Sequence, residues 1–189
     1  MLFNFDWVVH IYDAIMPKRT PTELLSFMRT KPSDDILEIG AGTGRITKYY
    51  GKMVKNLVLL DPSQKMLIKA LVKLPHAKLV SGVAESLPFS NESFDKIVGY
   101  DSFHHWQDQI KGLKETLRVL KKSGQLFLIE VDPNNFWGKN VIFFERIVGM
   151  KSRFFTPPFL SDLVKKIGFS ETVYDPLSGS LAYLLICKK

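Results

Sequence analysis

The chain has 189 residues, 46% of them hydrophobic, which is the size of one substantial domain able to bury a core without covalent staples. Its single cysteine, Cys187, excludes an internal disulfide framework and a thiolate metal cluster, and it fits a reducing, cytoplasmic setting. The net charge of +7 is spread over helix faces and short pairs such as Lys121-Lys122 and Lys165-Lys166. It forms no basic stripe interleaved with aromatics, which speaks against nucleic acid as partner.

The chain opens with MLFNFDWVVHIYD, where Asp6 and Asp13 and the lack of a basic leader do not read as a secretory signal. No apolar stretch reaches the roughly 18 residues of a membrane span. Residues 2–16 are rich in aromatics and read as a candidate lid, within an N-terminal helical cap over 1–30. Thr20-Pro21-Thr22-Glu23 reads as a capping box with proline at the first helical position, announcing a helix to about Thr30.

From Asp35 onward, short apolar runs alternate with helical patterns: 36–40, 56–61, 77–82, 94–100 and 125–131. Runs this uniformly apolar are buried on both faces, so they predict a parallel sheet with helices on either side. Ser63 is placed to cap a helix over 65–74, and Ile110, Leu113, Leu117 and Leu120 repeat at helical spacing. A helix over 159–167, closed by Gly168, precedes two strand-like runs, 171–175 and 181–187. Their link is too short for a parallel crossover, so the last two strands form an antiparallel hairpin. The fold class is α/β, a three-layer sandwich in one domain.

The first strand runs into ILEIGAGTGRIT, three glycines two apart. Open parallel sheets bind ligands beyond the carboxyl ends of their strands, and glycine lets a ligand lie on the main chain. A nicotinamide-binding turn spaces its glycines G-x-G-x-x-G, whereas this one reads G-x-G-x-G. With Glu38 upstream, Asp61 closing the second strand and a reversed final strand, the chain resembles the class I S-adenosylmethionine-dependent methyltransferases, closely over about 35–131. That resemblance implies a Rossmann-like, seven-stranded, mostly parallel sheet with an antiparallel last strand, and S-adenosyl-L-methionine as cofactor.

Carried onto this sequence, the resemblance assigns Glu38, Gly40, Ala41, Gly42 and Gly44 to the methionine portion of the cofactor. Asp61, followed by Pro62, would accept from the ribose hydroxyls. In the stretch 82–100, Leu87, Pro88, Phe89, Phe94 and Asp95 match the family pattern. Val83 stands where relatives carry an acidic residue that reads adenine, leaving that task to the Ala84 backbone, to Glu85 or to shape. Glu85 reads equally as an exposed loop carboxylate, and Asp95 as a residue tying down its loop.

After the fourth strand comes DSFHHW. Asp101 and His105 face the transferring methyl or orient the acceptor, or the histidines are interfacial loop residues; Phe103 and Trp106 read as packing. A His104–His105 pair without a third ligand close in sequence does not make a metal site. The available general bases are His105, His104, Tyr12 and Asp101; Tyr12 or Trp7 can stabilise a sulfonium by cation–π contact, while Trp7 reads first as core packing of an N-terminal helix.

Residues 134–158 form an aromatic excursion with Phe136, Trp137, Phe143, Phe144, Phe154 and Phe155. As a lid it predicts a small, apolar or aromatic methyl acceptor, resembling the quinone-biosynthesis branch of the family; as packing it seals an edge or an oligomer contact. The lack of several cysteines argues against arsenic methylation, and Asp101-Ser102-Phe103-His104 differs from the amino-directed nucleic-acid motif. RNA or protein methylation and a non-catalytic binding module are the competing readings.

Overall fold

The computed structural model describes residues 9–15, 21–177 and 180–189. Thr20 and Trp7 lie outside them. A seven-stranded sheet runs in the order β3-β2-β1-β4-β5-β7-β6, with β1 over Asp35–Ile39, β2 over Asn56–Asp61, β3 over Lys78–Ser81, β4 over Phe94–Tyr100, β5 over Leu120–Val131, β6 over Glu171–Asp175 and β7 over Ala182–Lys188. Strands β1 to β5 pair in parallel, while β7 lies antiparallel between β5 and β6. The reversed strand is therefore interior to the sheet, and β6 closes its edge.

Strand alternation divides the core into two layers. Leu37, Ile39, Ile97, Leu126 and Leu128 face one side, where they meet α4 (Gln109–Val119) and α6 (Pro157–Ile167). Ile36, Val98, Phe127 and Ile129 face the other, against α2 (Thr22–Met28) and α3 (Gln64–Lys73). The short α1 (Tyr12–Ile15) lies over α3, where Val9 and Tyr12 pack on Met66. Among the described residues no helix is long and apolar enough to cross a membrane.

Local signals act as the sequence implies at several element ends. Ser63 Oγ accepts from the Met66 N–H at the start of α3, and Gly168, at φ +124°, ends α6. Three expectations need correction. Leu120 belongs to β5, where it pairs with Phe94 before a register shift, so the helical period stops at Val119. Ile110 is exposed; the buried face of α4 is Gln109, Gly112, Leu113, Thr116 and Val119, and the missing side chain of Gly112 lets Trp106 pack directly on the helix. The helix at 22–28 stops at Arg29, which adopts φ +44°, and its N-cap position is Pro21 with no side-chain cap.

The glycine turn is followed by two 3₁₀ turns, Thr47–Tyr49 and Gly51–Met53, rather than an α-helix. Thr47 and Tyr50 both donate their hydroxyls to the buried Glu38 carboxylate. The segment after the turn is thereby tied back beneath β1.

Candidate functional site

The three glycines of the turn are required for three different reasons. At Gly40 a Cβ would sit 2.5 Å from Ser102 Cβ, so this residue admits the loop after β4. At Gly44 a Cβ would meet Ala70 Cβ at 3.1 Å, so its role is packing against α3. Gly42, at φ +53°, has nothing within 4 Å of a built Cβ and lies on a cavity wall. Of the three, only Gly42 opens its missing side chain onto empty space, which leaves room at the main chain for a ligand.

That cavity, about 610 Å³, lies at the carboxyl ends of β1, β2 and β4 and falls within the roughly 300–1,000 Å³ of small-molecule sites. One wall is Ile39, Gly40, Gly42, Asp61, Pro62 and Met66; the next is Gly82 to Glu85. Tyr12, Asp101, Ser102, His105 and Trp106 form the far side, with Gly149, Lys151 and Arg153 at the rim. Of the residues singled out in sequence, Glu38, Ala41, Gly44 and His104 stand outside the lining.

Asp61 ends β2 with Oδ2 accepting from Gly42 N–H at 2.9 Å and Oδ1 from Ser63 N–H at 2.8 Å. The carboxylate lies on the cavity wall, and a carboxylate is the acceptor type that two adjacent hydroxyls of a ligand require. Glu38 supports the turn from behind. Burial raises its carboxyl to about 7, against the opposing pull of the Thr47 and Tyr50 hydroxyls and of Arg45. Glu85 lines the cavity, yet its Oε1 also accepts from Asp108 N–H at 3.0 Å, fixing the start of α4.

A buried carboxylate that sequence reading passed over, Glu130 at the end of β5, organises the loop after β4. Its Oε1 accepts from Phe103 N–H at 2.8 Å and Ser102 N–H at 3.2 Å, and its Oε2 lies 2.6 Å from His104 Nδ1. Glu145 approaches the other nitrogen, Nε2, at 3.6 Å from α5 (Phe136–Ile147). Burial opposes charge on His104, but Glu130 and Glu145 outweigh it and hold the ring well above the ordinary histidine range. His104 is thus a cation clamped between two carboxylates, not a base facing the cavity.

His105 is the opposite case. Burial and the neighbouring His104 charge depress it to about 3, so it is neutral at physiological pH, with Nδ1 3.0 Å from Ser152 Oγ. Tyr12 lies on the cavity wall with its phenol pushed far up, first by burial and then by Asp101, so it keeps its proton at physiological pH. Burial likewise raises Asp101, which adopts φ +53°. Glu145 also brings a carboxylate within 4.8 Å of the ring nitrogens of His104 and His105, a third donor forty residues away in sequence that spacing does not reveal. Within this group the charged pair is His104 with Glu145, and His105 stays neutral beside it.

The aromatic excursion is placed differently from its reading as a lid lined by rings. Phe136, Trp137, Phe143 and Phe144 are exposed on α5, Phe154 stacks on His104 at 4.4 Å, and Phe155 packs against Phe103. What this excursion contributes to the cavity is Gly149, Lys151 and Arg153. Gly138 explains the orientation of α5: a Cβ there would lie 2.2 Å from Asp132 O, so the helix presses its glycine, not its rings, against the sheet. Asp95, singled out for a structural role, accepts from Asp35 N–H and Lys121 at the opposite end of the sheet.

A sheet of order 3-2-1-4-5-7-6 with a glycine turn after β1 and an acidic residue ending β2 defines a nucleoside-cofactor methyltransferase class. Residues 37–128 match the family model described as a methyltransferase domain. The chain is 30% identical to the demethylmenaquinone methyltransferase of Thermotoga maritima, over 96% of this chain and 93% of that one. It is 34% identical to the chloroplastic 2-methyl-6-phytyl-1,4-hydroquinone methyltransferase of Spinacia oleracea over 67% of this chain, spanning 40% of that longer enzyme. A solved S-adenosylmethionine-dependent methyltransferase of Thermotoga maritima superimposes with TM-score 0.81 at 28% identity, covering 98% of both chains. The chain belongs to the S-adenosylmethionine-dependent methyltransferases, and S-adenosylmethionine is its cofactor.

The residues present fit that cofactor. Gly42 leaves a gap that a side chain would fill, and Asp61 presents its carboxylate on the same cavity wall.

Proposed function

We propose that the chain methylates a quinol-like aromatic small molecule, bound in the part of the cavity bounded by Tyr12, His105, Trp106 and the 149–153 segment. The observation that carries this reading is the pairing on that wall of a proton-holding phenol, Tyr12, with a neutral imidazole, His105. An aromatic diol needs one group to donate to an oxygen and one to accept a phenolic proton. The names of the quinone- and hydroquinone-directed relatives support the same acceptor class.

When bound, S-adenosylmethionine supplies a methyl group made electrophilic by its sulfonium. The chain's part is to align the acceptor behind that carbon and exclude water, which can supply roughly 7–11 kcal/mol of the barrier. Tyr12 donates a hydrogen bond to one acceptor oxygen, and neutral His105 accepts one from a hydroxyl. At about 3 His105 is a weak base, so ionisation of the acceptor leans on the positive field of Lys151 and Arg153 at the rim.

The test is transfer of tritium from methyl-labelled S-adenosylmethionine to 1,4-naphthohydroquinone kept reduced, with phenethylamine as the competing amine. Label in the quinol alone supports the proposal; label in the amine contradicts it. Tight binding of S-adenosylhomocysteine with no transfer to either would overturn the proposal in favour of the non-catalytic binding module.

A further inference from the structure

We propose that the outward face of α5 is a docking surface for an anionic lipid bilayer, set beside the cavity mouth. A helix on a soluble domain normally turns its apolar stripe to the core. Here α5 does the reverse. Phe136, Trp137, Phe143, Phe144 and Ile147 are all between 63% and 72% exposed. At 100° per residue they fall on one arc, while Gly138 presses on Asp132 O and Glu145 reaches inward to His104. So large a continuous apolar face marks an interaction site.

The charge around this face selects the occupant. Residues 134–158 hold four basic side chains, Lys139, Arg146, Lys151 and Arg153, and one acid, Glu145, which is engaged by His104. None of the four cations has an ion-pair partner among the described residues. A second copy docking through a twofold axis would bring these cations and a +7 chain against their equals. Exposed aromatics flanked by unpaired cations instead suit the headgroup region of an anionic bilayer.

The face is continuous with the site. The chain leaves α5 through Val148 into Gly149, Lys151 and Arg153, which line the cavity. Docked in this way, the mouth opens at the lipid boundary, and a lipid-soluble acceptor enters without crossing water. That last step rests on the quinol-like acceptor proposed above; the docking itself does not.

The experiment is flotation of the full chain with vesicles of phosphatidylcholine alone and of an equal mixture with phosphatidylglycerol. The expected result is binding to the mixed vesicles that weakens with salt, falls roughly fivefold for each of Lys139→Ala and Arg146→Ala, and is lost in Phe143→Ser/Phe144→Ser. Unchanged S-adenosylhomocysteine affinity in these variants shows that the fold is intact. No vesicle binding, binding undiminished in the double serine variant, or a dimer that this variant dissolves would overturn the proposal. Quinol methylation assayed in detergent separates the two ideas: turnover without vesicle binding removes the docking surface, and vesicle binding without turnover removes the acceptor.

Discussion

Gly40 and Gly42 differ by two positions and are expected to fail in different ways. Gly40→Ala drives a methyl into Ser102 and should lower the urea midpoint sharply. Gly42→Ala meets no atom, so its cost is the left-handed backbone alone, about 1–2 kcal/mol, yet it should abolish S-adenosylhomocysteine binding measured by calorimetry. Asp61→Ala should weaken the same binding by about 10- to 100-fold, the worth of one or two hydrogen bonds to a charged acceptor. Glu38 carries a pH signature. Its folded value of about 7 lies above the ordinary 4.5, so the folded chain holds this proton more tightly than the unfolded one. The resulting stabilisation is complete below 4.5 and is lost as pH rises through about 7. Wild type should therefore lose about 3 kcal/mol relative to Glu38→Gln across that window, read as the difference between their denaturation curves. A flat difference would mean that Glu38 is ionised throughout.

At the scale of elements, the loop after β4 is held by Glu130 from β5 and latched to α5 through His104 and Glu145. Removing one partner of a buried ion pair strands the other, so Glu130→Ala should cost about 3–5 kcal/mol in chemical denaturation. A loss under 1 kcal/mol would show that the loop is held by packing. This element marks where sequence reading reached its limit. Strands β2 and β4 are legible to the residue, because burial on both faces leaves uniformly apolar runs, and the Ser63 cap is legible because capping is local. Glu130 reads as one more strand residue, and Glu145 as one more helix charge; their meeting with His104 is a tertiary fact with no spacing to announce it. Leu120 misleads for the same reason, since its helical period is genuine but its strand pairing with Phe94 is nonlocal. The aromatics of 134–158 are visible in sequence, but the side they face is decided by Gly138 against Asp132.

Across the whole molecule, the sheet order puts the turn after β1, the end of β2 and the loop after β4 around one cavity, with α1 and the 149–153 segment closing it. The N-terminal piece is fastened by Asp13, which pairs with Lys73 at 2.7 Å and accepts from Thr43. Cofactor and acceptor are therefore expected to share a single chamber, with Asp61 at one end and Tyr12 and His105 at the other. A crystal structure with S-adenosylhomocysteine bound tests this most directly. The ribose hydroxyls are expected on the Asp61 carboxylate, with backbone contact at Gly42 and the sulfur facing Tyr12 and His105. A nucleoside bound outside this cavity, or one whose ribose turns away from Asp61, would contradict it.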